Sequence, residues 1–216
     1  NTSKGALTLG LVSFLSITFF TLGIATRLSA IFIFLILSFF HLRNVFLINY
    51  SDFLIRYILI FFVFMPSNNF VSLKSVFLKS RTKFSTILYY RLFTIFISSV
   101  YLFSVFEKIQ GRDWQNGIAV FYAINSDFYS SGILNFKENN NFLVTLTYLS
   151  LIVETMIGLS ILTQKYQKII LSLGIFFHLT LELFLDIRSF QILMILLLLV
   201  SFNPNHFHNL KKKIKI

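Results

Sequence analysis

The stretch FLVTLTYLSLIVETMIGLSIL, residues Phe142–Leu162, decides the fold class of this protein. Its only charged residue is Glu154. The stretch is long enough to cross the hydrocarbon core of a bilayer, which needs roughly 20 apolar residues in a helix. Because a membrane-spanning segment must satisfy its own backbone hydrogen bonds, the pattern predicts an α-helix.

Six further apolar stretches share this character and predict an all-α, polytopic transmembrane helix bundle of about seven spans. The third and seventh are short for a full crossing. The predicted spans are Leu7–Ile24, Leu28–Phe46, Phe53–Met65, Leu88–Ile109, Phe142–Leu162, Ile169–Leu185 and Phe190–Phe202.

The composition agrees with a membrane protein. Of the 216 residues, 56% are hydrophobic and 12% are charged, whereas soluble domains carry about 25% charged residues. We therefore expect residues 1–216 to form a single transmembrane domain, of which 203–216 are a basic tail. The absence of cysteine excludes disulfides, a thiol nucleophile and a thiolate metal site.

The net charge of +11 is explained by topology rather than by a nucleic-acid partner. The loops after the first, third, fifth and seventh predicted spans carry more Lys and Arg than the loops on the other face. The positive-inside rule therefore places that face in the cytoplasm, together with the C-terminus. The expected location is a bacterial inner membrane.

Polar side chains collect at the opposite, non-cytoplasmic ends of the spans, and they predict an outward-facing cavity. The residues assigned to this cavity are His41, Arg43, Asn44, Asp52, Arg56, Glu107, Trp114 and Glu182. Structural alternatives stay open for several of them. Asp52 and Arg56 are spaced to form an ion pair on one helix, and His41 and Arg43 can reach the membrane surface from a helix end.

Lys108 is the first candidate for chemistry. A lysine at a membrane edge is ordinarily an anchor, but one partly withdrawn from water holds its proton less tightly and can act as a base. Trp114 follows in a turn and would otherwise be an interfacial anchor. Gly111 and Gly117 on either side of Trp114 predict a tight turn.

Two further candidates lie within spans. Glu154 is near the middle of the fifth span, where a carboxylate is costly and usually faces a cavity. His178, Glu182 and Asp186 recur every four residues and predict one polar stripe on the sixth span. We expect no metal there, because a third ligand is missing. The predicted catalytic residues are thus Lys108, Glu154 and His178.

Together these segments resemble the HTTM domain family. The resemblance rests on FFHLRNVFLINYSDFLIR (Phe39–Arg56), on YLFSVFEKIQGRDWQNGIAVF (Tyr101–Phe121), and on the spans that hold Glu154 and His178. This transmembrane module is shared with vitamin K-dependent gamma-carboxylase and with the membrane factor that helps to mature the sporulation-delaying protein toxin. In family register the first span here resembles the domain's second, so the resemblance implies that one N-terminal helix of the family is missing from this sequence.

The resemblance implies base chemistry on the non-cytoplasmic side. In the carboxylase a lysine before the Trp-containing turn deprotonates reduced vitamin K, and Lys108 is the residue that matches by its spacing to Trp114. Glu107 stands where that enzyme has a second lysine. The implied cofactor is a reduced, vitamin K-like quinone, and the implied class is lyase. Carboxylation of glutamate is not expected, because the carboxylase's lumenal domain has no counterpart here.

Three functions follow as hypotheses. The favoured one is a membrane enzyme that acts by base chemistry on a quinone-like or lipophilic substrate. The second is a non-redox maturation or immunity factor for a secreted peptide toxin, which would bind the peptide from the non-cytoplasmic side. The third is a proton-coupled transporter or assembly subunit, in which Glu154 and the stripe of His178 and Glu182 relay protons.

Overall fold

A computed structural model describes residues 2–43, 49–64, 84–128, 130–133 and 141–201. The described residues are mainly helical, as the apolar stretches predict. In chain order the helices are α1 (Thr2–Thr21), α2 (Thr26–Arg43), α3 (Tyr50–Phe64), α4 (Phe84–Gln110), α5 (Arg112–Gln115), α6 (Ala119–Ile124), α7 (Asn141–Thr163), α8 (Gln167–Phe184) and α9 (Arg188–Ser201).

Each predicted span corresponds to one of the longer helices. Five of them, α1, α2, α4, α7 and α8, are long and apolar enough to cross a membrane. The third and seventh spans are short in the structure too, because α3 has 15 residues and α9 has 14. The prediction of an all-α, multi-pass membrane protein is therefore confirmed.

The chain divides into two compact units, Asn1–Tyr90 and Arg91–Ile216. In the first unit, α1 and α2 are joined by a tight reversal. Gly23 adopts a left-handed conformation with φ of 69°. The amides of Gly23 and Ile24 donate to the last carbonyls of α1 at 3.1 and 2.8 Å, which completes the helix end. The rings of Phe20 and Phe62 then pack edge to face, 5.0 Å apart.

The second unit holds α4 from Arg91 onward and α5 to α9. Gly158 of α7 allows α4 to approach closely, because a Cβ added there would lie 2.9 Å from Leu102. The Ser98 hydroxyl uses this approach to donate to the Gly158 carbonyl at 2.7 Å. Gly174 of α8 plays the same part against Leu198 of α9, where an added Cβ would lie at 2.8 Å. Small residues at helix contacts are usual in membranes, where packing drives association.

The predicted polar stripe on the sixth span is only partly correct. Helix α8 ends at Phe184, and Leu185 has an extended backbone. Asp186 therefore lies beyond the helix and does not continue the face shared by His178 and Glu182. The end of α8 is held by the 130–133 segment instead, since the Ser131 amide donates to the Phe184 carbonyl at 3.1 Å.

Candidate functional site

A largely buried ion pair in the second unit joins Lys108 of α4 to Glu154 of α7. The Lys108 ammonium donates directly to one carboxylate oxygen of Glu154. The other oxygen accepts a hydrogen bond from the Ser104 hydroxyl at 3.4 Å. The lysine and glutamate side chains are only 25% and 9% exposed, so this ion pair is screened far less than one on a protein surface.

Trp114 covers the lysine. Its ring centroid lies 4.9 Å from the Lys108 ammonium nitrogen, which is within the range of a cation–π interaction. Gly111 makes this fold-back possible, because an added Cβ would lie 3.2 Å from the Trp114 ring. Gly117 ends the turn with φ of 74°, which L side chains rarely adopt. The predicted tight turn around Trp114 is thus confirmed.

The turn is attached to α7 by two side chains. The buried Thr147 hydroxyl donates to the Gly117 carbonyl at 3.0 Å, and the Tyr148 hydroxyl donates to the Gln115 carbonyl at 2.8 Å. Because Glu154 lies on the same helix, two turns further on, α7 fixes the positions of both Trp114 and the carboxylate that binds Lys108.

Lys108, Trp114 and Glu154 line a cavity of about 280 Å³ within the second unit. Its polar wall includes Tyr101, Ser104, Lys108, Glu154, His178 and Gln191, and most of the remaining wall is apolar. A second cavity of about 370 Å³ shares part of this wall, including Ala123, Phe177 and Leu181. Apart from Thr180, the second cavity is lined by apolar residues.

His178 lies at the centre of a buried hydrogen-bond chain. Its Nε2 is 2.8 Å from the Tyr101 hydroxyl oxygen, and its Nδ1 is 2.6 Å from Oε1 of Gln191. All three residues are at most 3% exposed. Three helices, α4, α8 and α9, therefore meet at this imidazole, and both of its nitrogens are occupied.

The structure thus brings together four of the residues singled out in the sequence: Lys108, Glu154, Trp114 and His178. Sequence reasoning missed Tyr101, Ser104 and Gln191. Tyr101, Ser104 and Lys108 are spaced to share one face of α4, which was the available signal. The sequence signal for Gln191 was weaker, because it is only a single amide within an apolar segment.

Two predicted cavity residues of the second unit lie elsewhere. Glu107 is exposed on α4 and does not line the cavity. Glu182 does not line it either, and its carboxylate faces the turn after α8, where Oε1 is 3.6 Å from the Arg188 side chain. Arg188 also pairs with Asp186 at 3.3 Å.

The remaining predicted residues belong to the first unit. His41 pairs with Asp52 across 3.5 Å, and Asp52 also accepts the Asn49 amide at 3.0 Å. The expected ion pair between Asp52 and Arg56 does not form among the described residues, since the Arg56 guanidinium lies over the Phe53 ring at 4.6 Å. Arg43 is exposed at the end of α2, and Asn44 lies outside the described residues.

Comparisons with known proteins agree with this architecture. One curated relative is the sporulation-delaying protein SdpB of Bacillus subtilis (strain 168), which is 28% identical over 127 residues. The aligned region covers 55% of this chain and 39% of SdpB, so it spans well under half of that relative. No solved structure matches the chain. The family described as HTTM domain matches residues 3–206, and the chain therefore belongs to the HTTM domain family.

Proposed function

We propose that this protein is a membrane-embedded enzyme that removes a proton from a hydroxyl group of a lipophilic substrate, with Lys108 as the proton acceptor. The observation that carries the proposal is the contact of Lys108 with Glu154 at a mainly apolar cavity. A charged pair costs free energy in such a place unless it is well satisfied. Ionisable residues inside membrane-spanning helices are rare, and they usually mark a functional site.

The pair provides a way to make a base. If the proton moves from the lysine nitrogen to the Glu154 carboxylate, both side chains become neutral, which removes the cost of two charges in an apolar site. The neutral amine of Lys108 then accepts the proton of a substrate hydroxyl. The product is a substrate oxyanion beside a new ammonium group, whose charge stabilises it.

The cavity suits a small, mainly apolar substrate. Its volume of about 280 Å³ is just below the range for small-molecule sites, which is roughly 300–1,000 Å³. The Trp114 and Phe177 side chains supply aromatic surface at its wall. The neighbouring cavity is apolar and shares wall residues with this one, so a hydrocarbon chain on the ligand would meet apolar surface there. These features fit a reduced, vitamin K-like quinone, which would supply an acidic ring hydroxyl and reducing electrons.

The test is turnover by the purified protein in lipid nanodiscs, with a reduced naphthoquinone as probe. Dissolved oxygen would oxidise the deprotonated hydroquinone to the quinone and be reduced to hydrogen peroxide, so oxygen consumption above the rate without protein is the readout. We expect Lys108→Ala to lower the rate at least a hundredfold, because a positioned base contributes roughly 10²–10⁴-fold. Lys168→Ala is the matched control, since Lys168 is exposed and lies outside the cavity. If the Lys108 variant stays folded and keeps the wild-type rate, the proposal is wrong.

The similarity to SdpB supports a second candidate, maturation of a secreted peptide. In this case the cavity would bind part of a peptide that arrives from the non-cytoplasmic side. A photoreactive phenylalanine analogue at Phe190, which lines the cavity, separates the two functions. A cross-link to a lipid or quinone supports the enzyme, whereas a cross-link to a secreted peptide supports maturation.

A location in a bacterial inner membrane, with the C-terminus in the cytoplasm, completes the proposal. With this orientation the turn around Trp114 would face the non-cytoplasmic side. Transport coupled to protons stays a prediction, and no contact among the described residues favours it over base chemistry.

A further inference from the structure

A second polar position lies on the wall of the Lys108 cavity, where Tyr101, His178 and Gln191 are linked by hydrogen bonds. Oε1 of Gln191 is a carbonyl oxygen and can only accept. The hydrogen between it and His178, across 2.6 Å, must therefore be carried by Nδ1 of the imidazole. Gln191 thus selects one tautomer of His178.

This tautomer determines the direction of the next hydrogen bond. A neutral imidazole with its hydrogen on Nδ1 has a bare lone pair on Nε2. The Tyr101 hydroxyl must then donate to Nε2, across 2.8 Å. Its own hydrogen is used in this bond, so its oxygen keeps lone pairs that can only accept.

Tyr101 and Lys108 both line the cavity. They are seven residues apart on α4, which corresponds to about 10 Å along the helix axis. The wall therefore carries a basic group at one position and a hydrogen-bond acceptor at another. A ligand whose two polar groups are separated by a ring-sized apolar body can use both.

We propose that Gln191 is a positioning residue which, through His178, makes Tyr101 an acceptor for a second hydroxyl or N–H group of the ligand. The inference rests on the proposed function, because it assumes that the first hydroxyl binds at Lys108. It adds where the second of two such groups binds and which residues prepare that position. A lipophilic molecule with a single polar end would use only half of the site.

The experiment compares two probes: a naphthohydroquinone with both hydroxyls and the naphthol that lacks the second one. Affinities are measured under anaerobic, reducing conditions by quenching of Trp114, the only tryptophan in the chain. The wild-type protein should bind the two-hydroxyl probe about fivefold to tenfold more tightly, which is the worth of one hydrogen bond. In Tyr101→Phe this preference should disappear, while the naphthol affinity stays unchanged.

Gln191 is tested with a third probe, the naphthol that carries a methoxy group, which can only accept, in place of the second hydroxyl. The wild-type protein should bind this ether no more tightly than the plain naphthol, because Tyr101 has no hydrogen to offer it. In Gln191→Leu, His178 is free to carry its hydrogen on Nε2 and Tyr101 can donate, so the ether should bind about fivefold more tightly than the naphthol. Gln110→Leu is the control, because Gln110 is exposed at the end of α4 and does not line the cavity.

Two negative results have different meanings. If both probes bind and Lys108→Met weakens them, but Tyr101→Phe leaves the ratio unchanged, the second position is disproved and the proposed function stands. If neither probe binds the wild-type protein, or Lys108→Met has no effect on binding, both proposals are overturned.

Discussion

Replacing the Lys108–Glu154 pair by apolar side chains tests how the site is held together. The two variants are Lys108→Met and Glu154→Leu, alone and combined. For an ion pair at a typical separation of roughly 3 Å and an effective dielectric constant of about 20, the attraction between the charges is about 5.5 kcal/mol. Removal of water from both groups offsets much of this attraction, so the pair adds little net stability relative to an apolar pair.

The single variants are expected to be more damaging than the double variant. Lys108→Met leaves a 9% exposed carboxylate without its partner, and we expect a loss of about 3 kcal/mol in the free energy of unfolding. Glu154→Leu should cost about 2 kcal/mol, because the 25% exposed lysine can turn towards water. The double variant should lose only about 1 kcal/mol, so the cycle is non-additive by about 4 kcal/mol.

Unfolding is measured by titration with a denaturing detergent in mixed micelles, followed through the fluorescence of Trp114. Trp114 packs on Lys108, so its emission reports on this site directly. A control cycle uses Lys168→Met and Glu107→Leu, two exposed positions, and should be additive. If the Lys108 and Glu154 variants are also additive, within about 0.5 kcal/mol, then the pair does not hold the cavity wall together.

Two more predictions concern the turn and the topology. Gly117→Ala should destabilise the protein by about 2–4 kcal/mol in the same titration, because φ is 74° and the added methyl group would lie 2.8 Å from Val144; a change below about 0.5 kcal/mol would contradict the described turn. The chain has no cysteine, so single cysteines report its orientation: a membrane-impermeant maleimide should label Arg112→Cys, but not Lys168→Cys, in intact cells. If Lys168→Cys is labelled and Arg112→Cys is not, the proposed topology is wrong.

Part of the candidate site was predictable, because some of its ionisable residues stand at positions in an apolar span where they are costly. Glu154 was predicted because a carboxylate in the middle of an apolar span needs a reason to be there. Lys108, Gly111, Trp114 and Gly117 were predictable because their spacing describes a turn. Tyr101 and Gln191 were not predicted, because a single tyrosine or amide in an apolar helix is not unusual. Their role depends on His178 of a third helix, which lies between them and contacts both.

The sequence alone predicted wrong partners for charged side chains that have more than one possible partner nearby. Asp52 has a suitable arginine one turn away, yet its carboxylate pairs with His41, while Arg56 covers an aromatic ring. Glu182 was assigned to the cavity because it shares a helix face with His178. Helix α8 ends at Phe184, however, and the turn that follows brings Arg188 within reach of the Glu182 carboxylate.

The amino-acid sequence by itself determined that the chain is a helical membrane protein, because a long apolar segment in a bilayer has no other way to satisfy its backbone. It also marked Phe142–Leu162 as the span with a costly carboxylate. Only the tertiary structure decided what that carboxylate does. Lys108 is 46 residues away in the chain, and the contact exists because Gly158 lets α4 and α7 pack closely, a relation between helices that no periodicity within either one specifies.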